Sequence, residues 1–96
     1  IALLIAARGA LGVPRQCFFC SIGGFDTHGA DQLQRQNELL GEISEAVLAF
    51  QTAMEELQVS REVTLFTASD FGRNLPSNGA GTDHAWGNHH FVVGGA

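Results

Sequence analysis

The feature that most constrains the fold is a long periodic segment over residues 31–58. Its apolar residues recur at steps of three and four after one skipped turn, and they are Leu33, Leu40, Ile43, Val47, Phe50, Met54 and Leu57. That spacing places them in one stripe along a helix. Gln36 fills the skipped position of the stripe. The segment therefore predicts one amphipathic helix of about 28 residues, or about 42 Å.

Two short apolar runs flank this helix and predict strands. Residues 16–22 read QCFFCSI and are followed by two glycines, which is typical of a strand buried on both faces. Residues 62–68 read EVTLFTA and are rich in β-branched and aromatic residues. Strand, long helix and strand predict a parallel βαβ unit. With a further helix over residues 1–11 and a short strand over 89–93, the fold class is α/β.

The charge of the chain argues against one large class of partners. The formal net charge is −5, lysine is absent, and the five arginines are scattered singly. Nucleic-acid binding needs a basic stripe or patch, so no nucleic-acid partner is expected. The apolar stretch over residues 1–12 is interrupted by Arg8 and is too short to span a bilayer, so no membrane partner is expected.

The chain reads as a piece of a larger domain. It has 96 residues and begins on Ile1 rather than on a methionine. We therefore expect a single partial domain over residues 1–96. Missing neighbours would leave sheet edges or helix faces uncovered, so self-association is plausible.

Cys17 and Cys20 lie three residues apart, a spacing that suggests a redox or metal pair when it opens a helix. In the predicted strand over residues 16–22, however, the two thiols would face opposite sides of the sheet. We therefore expect two buried packing cysteines.

Polar side chains follow both strands of the predicted βαβ unit. Asp26 and His28 follow the first strand, and Asp70 and Arg73 follow the second. Ligands of open α/β sheets bind beyond the carboxyl ends of the strands, so these groups are expected at one rim. On extended backbone Asp26 and His28 share a face, and both could reach one zinc or other divalent ion. The alternatives are a helix cap from Asp26 or Thr27 and an Asx-turn or cap from Asp70.

The segment 81–90, GTDHAWGNHH, holds three of the four histidines of the chain. Adjacent strand residues face opposite sides, so His89 and His90 are not expected to bind one ion together. His84 is the preferred ligand. A neighbouring hydroxyl, amide or carboxylate could orient its imidazole. The alternative is a solvated loop that contains histidine.

The ordered set GGFDTH, a long amphipathic helix, VTLFTASDFGRN and SNGAGTDHAWGNHHFVVGG resembles family 1501 of the domains of unknown function. That family comprises exported bacterial proteins and is placed in the alkaline phosphatase and sulfatase superfamily. The resemblance covers essentially the whole chain, which then looks like a C-terminal-half fragment. It implies a three-layer sandwich with a metal centre at the strand ends, and an exported or periplasmic location. By resemblance, the metal ligands are Asp26, His28, Asp70 and His84.

The resemblance implies a metal-dependent hydrolase of phosphate or sulfate esters, with zinc as the preferred divalent ion. Its substrate would be a small-molecule ester, and Arg73 could hold a non-bridging oxygen of that ester. The superfamily carries its nucleophile on an earlier strand that this chain lacks, so the chain alone is expected to be inactive. The alternative is a non-catalytic exported binding or structural protein that retains the scaffold, with or without one metal ion. Phe71, which stands where the superfamily has a histidine, favours that alternative.

Overall fold

The N-terminal apolar segment forms two short helices in place of one. The computed structural model describes residues 1–95, and in it α1 spans Ala2–Ala6 and α2 spans Arg8–Leu11. The second helix ends at Gly12, whose φ of 64° lies in the left-handed region that glycine adopts readily. The predicted helix is therefore confirmed, with a break at Ala7.

The long predicted helix is also confirmed, and α3 spans Gln32–Glu56. It ends where Gln58 takes a left-handed φ of 58°. The Val59 N–H donates to the Met54 carbonyl and the Gln58 N–H to the Glu55 carbonyl, both at 2.9 Å. These two bonds define a Schellman motif. Because Met54 and Val59 are both buried, the motif ties the end of the helix to the core.

The buried face of α3 begins on polar residues. Gln32 and Leu39 are buried and Gln36 is half-buried, whereas Leu33 is 74% exposed and Leu40 is 42% exposed. The predicted apolar stripe is therefore wrong at its first two members. The two glutamines take the inward positions because their amides hydrogen-bond neighbouring loops, as buried polar groups must.

The core is small and lies between the N-terminal segment and the C-terminal half of α3. Its buried members are Ile5, Met54 and Val59. Phe18 and Phe50 pack against them while remaining partly exposed. Phe18 thus holds the segment 16–22 against the body of the molecule.

All of the β-structure among residues 1–95 is antiparallel. The strands are β1 at Thr64–Phe66, β2 at Gly72–Arg73, β3 at His84–Ala85 and β4 at Val92–Gly94. β1 pairs with β4 and β2 pairs with β3, which gives two two-stranded sheets. The predicted strand over 62–68 is confirmed in shorter form, and the predicted strand over 89–93 is confirmed with its bounds shifted to 92–94. Together with the helices they make a mixed α/β arrangement.

The prediction of a parallel βαβ unit is wrong. Residues 16–22 form no ladder with any other part of residues 1–95, and β1 pairs instead with the later strand β4. Strand propensity alone does not create a strand, because its N–H and C=O groups need a neighbouring chain. The three-layer sandwich is not supported either, since both sheets are two-stranded and antiparallel.

Cys17 and Cys20 are exposed, so the prediction of buried thiols is also wrong.

The molecule is elongated, at 54 × 22 × 19 Å. Its accessible surface is 7259 Å², whereas a compact monomer of this mass exposes about 5,300 Å². Part of the excess is apolar, since Phe19 is 90% exposed and Trp86 is 85% exposed. No helix within residues 1–95 combines the length and the apolar character needed to cross a membrane.

We expect this apolar surface to make the chain self-associate as its concentration rises, because large exposed apolar patches are removed from water on contact. Sedimentation velocity over a wide concentration range would show the average mass increasing. A double variant, Phe19→Ser with Trp86→Ser, should reduce the effect. A strictly monomeric chain at every concentration would contradict this expectation.

Candidate metal centre

Two loops that are far apart in the sequence meet at the N-terminal end of α3. The first is residues 25–28, which precede the helix, and the second is residues 81–84, which lead into β3. Along the first loop Phe25 and Thr27 are half-buried, whereas Asp26 and His28 are exposed. This alternation puts Asp26 and His28 on one outer face, as their spacing predicted.

Three side chains from these loops converge on one point. Oδ1 of Asp26 lies 2.9 Å from Nε2 of His28 and 2.8 Å from Nε2 of His84. The two imidazole centroids are 4.7 Å apart. One candidate ligand atom from each residue lies within 4.8 Å of the other two. We call this exposed group, Asp26 with His28 and His84, the Asp–His–His cluster.

His28 has a carboxylate at each ring nitrogen. Its Nδ1 lies 3.2 Å from Oδ1 of Asp83, and its Nε2 lies 2.9 Å from Oδ1 of Asp26. A neutral imidazole has only one N–H, so it can donate to only one of these carboxylates. The other contact brings two lone pairs together unless a proton or a metal ion lies between them. The arrangement therefore calls for positive charge at His28.

The carboxylates of the site are held in their ionised form. Hydrogen bonds with His28 and then with His84 place the pKa of Asp26 below its usual range. The pKa of Asp83 is also lowered, first by the hydrogen bond from the Asn78 amide, 2.9 Å long, and then by that with His28. An ionised carboxylate is the form that binds a metal ion.

His84 is positioned by both its backbone and its ring. It is the first residue of β3 and pairs with Arg73 in the ladder. The ring of Phe71 stacks on its imidazole, with centroids 3.9 Å apart and planes 16° from parallel. The guanidinium of Arg73 lies 5.3 Å from the centroid of the Phe71 ring, within the range of a cation–π contact. The stack fixes the plane in which His84 presents Nε2.

The other two predicted site residues have different surroundings. Asp70 is exposed and lies outside the one group of metal-binding side chains found within residues 1–95, so its role as a ligand stays a prediction. Arg73 donates from Nη1 to the Thr82 carbonyl at 2.5 Å and from Nη2 to the Phe25 carbonyl at 2.6 Å. Arg73 thus joins the two loops, and its contact with an ester oxygen stays a prediction.

Two residues that shape this site were not among the predicted site residues. Asp83 is the partner of His28, and its adjacency to His84 was the available signal. Gln32 is buried and bonds both loops. Its signal was a glutamine one turn before Gln36 on the inward side of the helix, which the search for an apolar stripe passed over.

Comparison with known protein families gives a match over nearly the whole chain. Residues 2–96 match the model of the family described as "Protein of unknown function (DUF1501)". The chain belongs to the DUF1501 family. This confirms the family that the sequence resembles. No curated protein and no solved structure is detectably similar to this DUF1501 chain.

In this DUF1501 chain, acid should remove the stabilisation that Asp26 provides. The pKa of Asp26 is lower in the folded chain than in the unfolded chain. Its contribution is therefore fully present above the ordinary aspartate pKa of about 3.9 and is lost as the pH falls through the folded value. A carboxyl ¹³C titration of the metal-free protein should show Asp26 titrating below its usual range. His84→Ala should raise the midpoint, and an unchanged midpoint would argue against the contact.

Proposed function

We propose that the Asp–His–His cluster binds one divalent transition metal ion, with zinc as the first candidate. The observation that carries the proposal is the convergence of two imidazole Nε2 atoms on one carboxylate oxygen. Imidazole nitrogen and carboxylate oxygen are donors that suit zinc. The exposure of all three residues leaves room for a fourth ligand from solvent or substrate, which is the arrangement of catalytic rather than structural zinc sites.

The surroundings of His28 support the same proposal. With Nε2 directed at the ion, Nδ1 would carry the proton and donate it to Asp83. Metal-binding histidines commonly donate their second N–H to a carboxylate, which fixes the tautomer and raises the basicity of the ligand. Asn78 would in turn hold Asp83 in place. The lone-pair conflict at His28 is then removed without a protonated imidazole.

We further propose that the centre serves an exported hydrolase of phosphate or sulfate esters. A bound divalent ion would polarise an ester oxygen and stabilise the negative charge that develops on it. Asp83 would keep the imidazole of His28 oriented, and Phe71 would hold the plane of His84. The open face of the cluster would admit a small ester. The resemblance to the sulfatase and alkaline phosphatase superfamily supports this reaction class.

A second candidate is a non-catalytic exported protein that binds a metal ion for structural purposes. The hydroxyls nearest the cluster favour it. Oγ1 of Thr27 accepts from the Gln36 amide and Oγ1 of Thr82 accepts from the Gln32 amide, each at 3.2 Å. Both threonine hydroxyls are thus engaged in holding the loops, which favours a structural role for these loops.

Metal binding and turnover, measured together, test both candidates. Because this chain alone is expected to be inactive, the full-length protein would be stripped of metal with a chelator and titrated with zinc by calorimetry. It would then be assayed with aryl phosphates and aryl sulfates. Tight binding with turnover supports the hydrolase, and tight binding without turnover supports the second candidate. Absence of zinc binding would overturn both.

A further inference from the structure

We propose that Gln32 is the positioning residue of the metal centre, because its amide locks the loop that carries Asp26 and His28 to the loop that carries His84. The effect on metal binding rests on the proposed function. The locking of the two loops by Gln32 does not, because it concerns hydrogen bonds within the chain. The two parts can therefore be tested separately.

The burial of Gln32 is the first observation. It is 8% exposed and is the only buried polar side chain among residues 1–95. Burying an amide costs free energy unless its donor and acceptor groups are hydrogen-bonded. An apolar residue at this inward helix position would pack without that requirement. A glutamine here indicates that its hydrogen bonds are needed.

The partners of Gln32 are the second observation. Its Nε2 donates to the Thr27 carbonyl at 3.0 Å and to the Thr82 hydroxyl at 3.2 Å. Its Oε1 accepts from the Thr82 N–H at 2.6 Å. Thr27 lies between Asp26 and His28, and Thr82 lies two residues before His84. One side chain therefore bridges the backbone segments that present all three proposed ligands.

The third observation is that the second loop leaves space for this amide. A Cβ atom at Gly81 would collide with the Gln32 side chain and would lie 3.1 Å from the carbonyl oxygen of His28. Glycine at position 81 therefore lets the loop approach both Gln32 and the first loop. The bonds of Arg73 to Phe25 and Thr82 join the same two loops. Gln32 and Arg73 thus both join the two loops, and of these two residues Gln32 is the one that is buried and lies on a long helix.

The consequence is geometric. A metal site needs its donor atoms held within a few tenths of an ångström, and residues that orient the ligands commonly change metal affinity 10- to 100-fold when they are replaced. Without the Gln32 amide, the loop with Asp26 and His28 and the loop with His84 would be joined by Arg73, by the contact of His28 with Asp83 and by the cluster itself. The ligands would then have to be ordered by the ion, at the expense of affinity.

The test compares Gln32→Met, Gln32→Glu and a matched control. Methionine keeps the length of the side chain and removes the amide, whereas glutamate keeps an acceptor for the Thr82 N–H and removes the donors. The control is Gln34→Met, because Gln34 is exposed two residues along the same helix and its amide donates to Glu38 at 3.1 Å. Zinc affinity would be measured by competition with a chromophoric chelator, and ligand geometry by the visible spectrum of the cobalt-loaded protein.

We expect Gln32→Met to weaken zinc binding about 10- to 100-fold and to alter the cobalt spectrum. Gln32→Glu should fall between Gln32→Met and the wild type, and Gln34→Met should match the wild type. Circular dichroism would verify that each variant is folded. If Gln32→Met does not fold, Gln32→Glu is the variant that decides whether the amide positions the ligands. Wild-type affinity and an unchanged spectrum in the deciding variant would overturn the proposal.

A metal-free measurement separates this inference from the proposed function. The imidazoles of His28 and His84 are close enough for a nuclear Overhauser contact between their ring protons. That contact should persist in Gln34→Met and vanish in Gln32→Met or, if that variant does not fold, in Gln32→Glu. If the wild type binds no zinc, the proposed function fails. The locking role of Gln32 is still tested by the contact between the ring protons of His28 and His84. Its persistence in the deciding Gln32 variant would overturn that role.

Discussion

Replacing His84 by alanine should lower the affinity of the protein for zinc by at least about 100-fold, more than the loss of an orienting partner causes. His84 supplies one of the two imidazole nitrogens that converge on Asp26. Its removal leaves one imidazole and one carboxylate on a single exposed loop, and two ligands hold zinc poorly in water because solvent competes for the remaining positions. Calorimetric titration of the metal-free protein measures the loss directly.

Two further variants make this result specific. His89→Ala removes an exposed histidine five residues along the chain that lies outside the cluster, so it should bind zinc like the wild type. Asp70→Asn tests the remaining predicted ligand, and a loss comparable to that of His84→Ala would bring Asp70 into the site. Equal losses in His84→Ala and His89→Ala would instead mean that zinc binds the histidine-rich segment without a defined centre.

The part of the site that the sequence predicted depends on local geometry. Asp26 and His28 share a face because extended backbone alternates sides, and that rule needs no knowledge of the rest of the fold. The same alternation argued against His89 and His90 binding one ion together, and the resemblance matched His84 to a further histidine ligand. The structure then brings His84 to Asp26 from 58 residues away, at 2.8 Å.

The sequence failed to predict which strands pair with each other. β-branched and aromatic residues mark residues 62–68 as a strand, but they do not say which segment will pair with it. A strand before a long helix and a strand after it form a parallel pair in most α/β proteins. Here β1 pairs with β4, which comes later in the chain and runs antiparallel. Residues 16–22 have the composition of a buried strand without a ladder partner in residues 1–95.

The misplaced stripe on α3 has a related cause. Periodicity analysis treats polar residues on the inward face as interruptions, so it moved the start of the stripe to Leu33 and Leu40. In the structure the inward positions are Gln32, Gln36 and Leu39. The glutamines are inside because two loops offer them backbone and hydroxyl partners, and those loops are placed by contacts distant in sequence. In this helix, polar residues on the inward face indicate where the two loops of the site are bound.

Replacing Gly72 by alanine should damage both the fold and the site, because β2 lies against β3 without room for a side chain. A Cβ atom at position 72 would lie 2.5 Å from the carbonyl oxygen of Ala85, 2.6 Å from that of Gly87 and 2.9 Å from the carbonyl carbon of Trp86. These are backbone atoms, so relief requires the two strands to separate. Forced over-packing of this kind costs about 1–3 kcal/mol of the free energy of unfolding.

The same separation would move His84, since β3 begins on that residue and Phe71, which stacks on its ring, immediately precedes β2. We therefore expect Gly72→Ala to weaken zinc binding about tenfold or more while unfolding at lower denaturant concentration. Gly41→Ala is the matched control, because a Cβ at that position on α3 meets no atom within 4 Å, and alanine should stabilise the helix by up to about 1 kcal/mol. If Gly72→Ala kept the wild-type stability and zinc affinity, the β2–β3 ladder could not be what presents His84 to Asp26.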